Sequence, residues 1–443
     1  MLRTGKRGQW KPGRGKLGRG KLVPRKLAGA LAAAGLAGGL VLLSALPAAA
    51  ITPITPSPEE SAQVQVQEQW VLNMLDVEPA WSVSTGSHVT VAVIDSGVNK
   101  SVSDLAGADV VSGPDYTGLN TKPTDPHWGQ HGTWMASIIA GQGHEGDGDG
   151  IIGIAPQAKI LSIRVIPDTT DPGYRKYDSE PEQTIQNELA EGIMTAVKDG
   201  AQVISMSIGY SAPSGVVRAA LQYAYSRGAV LVASSGNSGQ NDEKHDHGWS
   251  PVSFPADYPG VLSVAAVDED GTTASFSSGN LSVQVAAPGD NVPAQGNDGQ
   301  YYTVDGTSPA CALVAGVAAL IKSAYPKISP AQVMEAITST AKEHGSSHPG
   351  GYNVHAGFGI VDADAALIKA GQLMKQHPAS SQVTLTGHFG GGAAAVAAPP
   401  VAPRGDGRLV LFAVLAAISL AAAAGGLTAA RRARAPGYRP GHG

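Results

Sequence analysis

Four stretches of this 443-residue chain end in side chains that can do chemistry together. Asp95 closes a β-branched run, Val89 to Ile94, that gives way to Ser96-Gly97. His131 stands in Gln130-His131-Gly132-Thr133, at the head of a small-residue segment running to Gly141. Asn237 follows the buried-strand pattern Val230 to Ser234 on a loop flanked by Gly236 and Gly239. Ser308 sits after Gly306-Thr307, where the backbone can turn, and opens a run of small apolar residues at helical spacing. A hydroxyl is a poor nucleophile unless a neutral imidazole takes its proton. The imidazole in turn needs a carboxylate to hold its tautomer, and a tetrahedral oxyanion needs donors already in place. Taken one at a time, each residue also has an ordinary structural reading. Ser308 is a good N-cap with Pro309 at the first helical position, and a lone Asp after a strand or His before a helix is commonly a loop or cap residue.

In their order and on their strand-to-helix and strand-to-loop junctions, the four stretches resemble the subtilisin-like serine proteases, peptidase family S8, over roughly Trp70 to Lys369. The resemblance implies Asp95 as orienting acid, His131 as general base, Ser308 as nucleophile and Asn237 as oxyanion donor. It also implies that Ser207-Ile208-Gly209 pairs with an extended substrate, and that Ala233, Ser234, Ser235 and Gly236 form the facing wall of the primary specificity pocket. The family's serine motif usually has a proline four residues after the nucleophile and a bulky residue directly after it. Here Ala312 and Pro309 hold those places. Pro309 loses only its own N–H, so an intact site is expected, and an inactive peptide-binding relative is the alternative.

The elements that must position these residues follow from periodicity. Near-continuous apolar strands at Lys159 to Val165, Val203 to Ile208, Val230 to Ser234 and Val261 to Val267 alternate with helical patterns over Thr184 to Lys198 and Ser214 to Arg227. This predicts an α/β fold, a three-layer arrangement with a mostly parallel sheet covered by helices on both faces, and sites at the carboxyl ends of the strands. Ser329-Pro330-Ala331-Gln332 reads as a capping-box start for a late helix.

Composition organises the rest. Residues 1–26 hold ten Lys or Arg and no acid, and an Ala/Leu-rich run to Leu46 ends in Ala48-Ala49-Ala50, which predicts a signal peptide over 1–50. Residues 51–69 are an N-terminal extension, too short and polar to form a core of its own, so either the enzyme needs no prodomain or the segment lies across the catalytic domain as an extended strap. The peptidase domain should cover 70–375, followed by a Ser/Gly/Ala/Pro linker over 376–408. Residues 409–430 carry no charge and precede Arg431, Arg432 and Arg434. This predicts a single C-terminal transmembrane helix with a basic cytoplasmic tail over 431–443 and the catalytic domain outside the cell.

Residues 51–403 hold 15 Lys or Arg against 35 Asp or Glu, a formal charge of −20, which argues against nucleic acid as a partner. One cysteine, Cys311, excludes an intrachain disulfide and reads as a small buried thiol. Loops at Gly143 to Gly150, Pro167 to Glu182 and Asn241 to His247 are acidic or inserted but lack the spacing of a metal motif, so no metal and no cofactor is expected. Signal, short extension, protease domain and membrane helix together resemble the mycosins, membrane-anchored proteases of actinobacterial type VII secretion. The lone cysteine departs from mycosins that carry disulfides. The reading is a membrane-tethered serine endopeptidase that acts on exported or surface polypeptides and is linked to a secretion-system complex. The alternative is a structural or peptide-binding subunit of such a complex with little or no catalysis.

Overall fold

A computed structural model describes residues 58–123, 125–144, 149–239, 249–342 and 351–376. In chain order the elements are α1 (Pro58–Met74), α2 (Val77–Trp81), β1 (Thr90–Asp95), β2 (Val110–Asp115), α3 (Gln130–Ala140), β3 (Lys159–Arg164), α4 (Tyr174–Asp178) and α5 (Glu182–Lys198). They continue as β4 (Val203–Met206), α6 (Gly215–Ser226), β5 (Val230–Ser234), β6 (Val261–Val267), β7 (Val285–Pro288), β8 (Val292–Gln295), β9 (Tyr301–Val304), α7 (Thr307–Ala324), α8 (Pro330–Ser339) and α9 (Ala363–Gln376).

Seven strands form one sheet in the order β2-β3-β1-β4-β5-β6-β7, with every pairing parallel. Strands covered on both faces need apolar side chains at every position, and β4, β5, β6 and β7 are buried throughout. On one face Ala92, Ile94, Ile204, Leu231 and Ala233 pack with α5 and α6. On the other, Val91, Val93, Val203, Val232 and Val264 pack with α3 and α7. The expected three-layer α/β fold with a mostly parallel sheet is what the chain adopts. β8 and β9 add an antiparallel hairpin, with Val292 opposite Val304 and Gln295 opposite Tyr301.

α7 lies at the centre. Its residues from Thr307 to Lys322 are all buried, and Gly316 lets the side chain of Ile154 approach, since a Cβ there would stand 2.6 Å from the Ile154 Cβ. This helix is long and apolar enough to cross a membrane by composition alone, but 89% of its apolar window is buried inside the protein. The predicted membrane helix over 409–430, the tail, all but the first residue of the linker and the signal segment lie outside the described residues. The predicted capping box is present: Ser329 Oγ accepts from the Gln332 N–H, and Gln332 Oε1 accepts from the Ser329 N–H at 3.1 Å.

Two segments differ from expectation. Residues from Pro58 onward form a helix rather than an extended strap, and it runs past the predicted boundary at Trp70. Val64, Val71 and Leu72 are buried on one face of α1. The helix is fastened to the loop before β3, where the Gly150 N–H donates to the Ser61 carbonyl at 3.0 Å and the Ile152 N–H to Glu68 Oε2 at 2.9 Å. The apparent insertion Pro167 to Glu182 holds the short α4, whose Tyr177 is buried and donates its hydroxyl to the Val165 carbonyl at 2.7 Å.

Candidate active site

Asp95 is the last residue of β1 and His131 the second of α3, and the sequence lets their elements come unusually close. A Cβ on Gly97 would meet the Trp128 ring at 2.5 Å, and one on Gly132 would run into the Gly97 carbonyl. Gly97 also holds φ at 103°, a conformation that glycine tolerates and other residues resist. With both side chains absent, His131 Nδ1 lies 2.8 Å from Asp95 Oδ1. The same carboxylate oxygen accepts from the Ser96 N–H at 2.7 Å. Asp95 is 1% exposed, whereas the imidazole is 27% exposed and opens on solvent. The His131 ring stands edge-on to Trp134 at 6.2 Å, and Trp134 in turn stands edge-on to Tyr302.

Burial works to lower the pKa of His131. The charge and hydrogen bond of Asp95, together with the charge of Asp168, outweigh burial and raise the pKa above the usual histidine value. Asp168 reaches α3 from the loop after β3, accepting the Gln130 N–H at 2.8 Å and the His131 N–H at 2.9 Å.

Ser308 is the second residue of α7, so its N–H belongs to the first turn and has no intrahelical acceptor. Pro309 is accommodated inside the same first turn without ending the helix. Ser308 is 6% exposed; its hydroxyl lies 3.5 Å from the Ser207 carbonyl, and the Ser207 hydroxyl donates back to the Ser308 carbonyl at 3.0 Å. In this arrangement the Ser308 hydroxyl faces Ser207 and makes no hydrogen bond to His131. Asn237 secures the same helix start: its Oδ1 accepts both the Thr307 N–H and the Thr307 hydroxyl, each at 2.9 Å. That anchoring turns the Asn237 Nδ2 donors towards Gly306, where a Cβ would stand 3.4 Å away.

Two adjoining cavities share Ser207, Gly209 and Tyr210. The larger, of about 560 Å³, is bordered by His131, Trp134, Ile208 and Tyr302, with Asp178, Glu182 and Asp298 also in its lining. The smaller, of about 110 Å³, is bordered by Ser234, Gly236, Asn237, Pro251, Ser253 and Ser308, and among the described residues no charged side chain lines it. Of the predicted wall, Ser234 and Gly236 face this slot, whereas Ala233 and Ser235 are fully buried behind it and line neither cavity. Sequence reasoning did not identify Asp168, Trp134, Tyr210, Tyr302 or Ser253, which sit on loops, a helix face or, for Tyr302, the β9 hairpin strand, with no motif of their own.

Cys311 is fully buried, its sulfur 3.8 Å from the Ser205 hydroxyl, and burial pushes its thiol up to about 11, which removes it as a nucleophile. Among the described residues no group of three or more His, Cys, Asp or Glu is arranged to hold a metal ion.

Residues 86–359 match the family model of the subtilases, peptidase family S8. Mycosin-1 of Mycolicibacterium smegmatis is 34% identical over 338 residues, 67% of this chain and 72% of the relative. Mycosin-1 of Mycobacterium tuberculosis is 33% identical over 89% of this chain and 97% of its own length. Subtilisin DY of Bacillus licheniformis is 34% identical over 63% and 91%. Among solved structures, MycP1 from Mycobacterium smegmatis superposes with a TM-score of 0.55 at 32% identity, covering 67% of this chain and 84% of that one. The MycP3 protease from the type VII (ESX-3) secretion system gives 0.55 at 32% identity, covering 67% and 87%. The chain belongs to the subtilase family of serine proteases and is related to the mycosins.

Proposed function

We propose that the protein is a serine endopeptidase that cleaves exported or surface polypeptides through an acyl-enzyme on Ser308. The observation that carries this reading is the 2.8 Å contact between Asp95 Oδ1 and His131 Nδ1, together with a serine in the first turn of α7 and an asparagine whose Nδ2 lies towards Gly306, just before that turn. The Nδ1 contact fixes the tautomer with Nε2 unprotonated, so His131 can take the Ser308 proton as Oγ attacks the scissile carbonyl. The Ser308 N–H and Asn237 Nδ2 receive the oxyanion. His131 then returns its proton to the departing amine, and water repeats the sequence on the ester. For attack, Oγ must leave the Ser207 carbonyl and turn to Nε2; such catalytic hydrogen bonds are often formed only when substrate is bound. Substrate would lie in extended form along Ser207, Ile208 and Gly209, with one side chain in the slot beside Ser234 and Gly236.

The same reading places the catalytic domain outside the cell, held to the membrane by residues 409–430 with the C-terminus in the cytoplasm. It rests on the uncharged run and its arginine flank, and on relatives whose solved structures belong to type VII secretion systems. A catalytically silent structural or peptide-binding subunit is the second reading, favoured by the Ser308 hydroxyl facing Ser207 rather than His131.

The test is labelling of the full-length protein with a fluorophosphonate. Labelling that Ser308→Ala and His131→Ala both abolish is expected. A wild-type protein that stays unlabelled, in a strain where Ser308→Ala supports secretion as well as wild type, would establish the second reading.

A further inference from the structure

α3 begins without a cap of its own. Its N-cap residue is Gly129 at φ 75°, which has no side chain to offer, yet the first turn of a helix leaves backbone N–H groups without partners. The missing acceptor comes from Asp168, more than thirty residues further on. Oδ2 takes the Gln130 N–H at 2.8 Å and Oδ1 the His131 N–H at 2.9 Å, so both oxygens of one carboxylate engage the turn that carries the imidazole. An anion at the positive end of a helix is favourable, and a carboxylate offers a separate oxygen to each of the two amides.

Asp168 is itself held. The Asp171 N–H donates to its carbonyl at 3.0 Å, and Asp171 Oδ2 accepts from Arg164 at 2.7 Å. Arg164 Nε donates at 3.0 Å to the carbonyl of Ser96, the residue after Asp95. One buried guanidinium thereby ties the strand end that presents Asp95 to the loop that presents Asp168.

On the reading that His131 is the general base, we infer that Asp168 is a positioning residue for it: its carboxylate fixes the His131 backbone and places a second negative charge beside the imidazole. The groups facing that imidazole are Asp95 from β1 and Asp168 from the loop after β3. Asp178 and Glu182 from α4 and α5 and Asp298 from the β8–β9 turn line the adjoining cavity. Asp168 in turn faces His131 and Asp95.

The sign of the effect is fixed by this geometry. Catalysis needs neutral imidazole, so removing the Asp168 charge should keep His131 neutral to lower pH, while a loosened backbone should lower the rate at every pH.

The experiment measures the second-order rate of fluorophosphonate labelling of the full-length protein against pH, for wild type, Asp168→Asn and Asp168→Ser, with folding followed by circular dichroism. In both variants the plateau rate should fall roughly tenfold to a hundredfold, as for a slightly misplaced catalytic group, and the acid limb should move to lower pH. A plateau that falls with the acid limb unmoved, or variants that unfold at the assay temperature, would show a merely structural carboxylate and overturn the inference. Wild type that is labelled through Ser308 while both variants match it would also overturn it and leave the triad intact. Wild type unlabelled at every pH would instead remove the catalytic reading on which it rests.

Discussion

Arg164 and Asp171 meet at 2.7 Å with the guanidinium 1% exposed and the carboxylate fully buried. Arg164 also reaches Asp115 Oδ2 at 2.6 Å and the Thr117 hydroxyl at 3.2 Å, and its guanidinium carbon lies 5.7 Å over the Trp128 ring. A buried cation of this kind is stable only because all three of its nitrogens are engaged, and its partners depend on it equally. The knot lies directly behind the site, since Arg164 is the register partner of Asp95 across β1 and β3.

Replacing Arg164 by methionine would strand the Asp171 carboxylate in the interior, and breaking a buried pair from one side costs about 3–5 kcal/mol. Chemical denaturation should show a loss of that order, with labelling of Ser308 falling at temperatures where the variant is still folded, because Asp168 loses its support. A loss below about 1 kcal/mol would mean that the loop is held by other contacts.

Asn237 has two functions that one substitution can separate. Asn237→Asp keeps Oδ1 for the Thr307 N–H and hydroxyl, yet it replaces the Nδ2 donor with an acceptor that repels an oxyanion. Turnover should fall by about 10²- to 10³-fold with KM and melting temperature near wild type, as for loss of one oxyanion donor. A fall in melting temperature with turnover unchanged would make Asn237 an anchor for α7 and nothing more.

Among the described residues the slot beside Ser308 has no charged side chain in its lining, and its walls at Ser234, Gly236 and Ser253 are small and neutral. A charged substrate side chain would be desolvated there without a partner, which costs several kcal/mol. Peptides with Lys, Arg, Asp or Glu before the cleaved bond should show kcat/KM at least about 10²-fold below those with a neutral side chain of similar size. Ser253→Asp should restore lysine selectively. Equal cleavage of charged and neutral peptides would show that the substrate residue before the cleaved bond is seated elsewhere.

The residues legible in the sequence were those whose position is dictated by a strand end or a helix start. Asp95, His131, Asn237 and Ser308 all fall at such junctions, and the sheet followed from apolar runs buried on both faces. Asp168 was not legible because its partners lie 37 and 38 residues away and its loop has no period. β2 was missed because only its first residue is buried and it carries Gly113 and Pro114, so it has no apolar run. The helix α1 was hidden by its glutamines: its burial rests on Val64, Val71 and Leu72, too few to show as a stripe, and it is secured by backbone hydrogen bonds that composition does not reveal.

Glu68 makes the docking of α1 sensitive to pH. Burial raises its pKa well above the usual carboxylate value, the Ile152 N–H opposes that rise, and the charge of Asp104 adds to it. Asp104 is itself raised, first by burial, although it accepts from the Ile151 N–H and the Tyr301 hydroxyl. A carboxyl whose folded pKa lies above its unfolded value binds more protons when folded, so its contribution is most favourable below the unfolded pKa and is lost as pH rises through the folded one. Glu68→Gln keeps an oxygen for the Ile152 N–H and removes both the desolvated charge and its repulsion with Asp104. Its melting temperature should therefore exceed wild type at pH 8 and approach it at pH 4, with proteolytic nicking of residues 58–74 slowed at the higher pH. A variant that is less stable than wild type at pH 8 but not at pH 4 would show that the charge on Glu68 favours the docked helix.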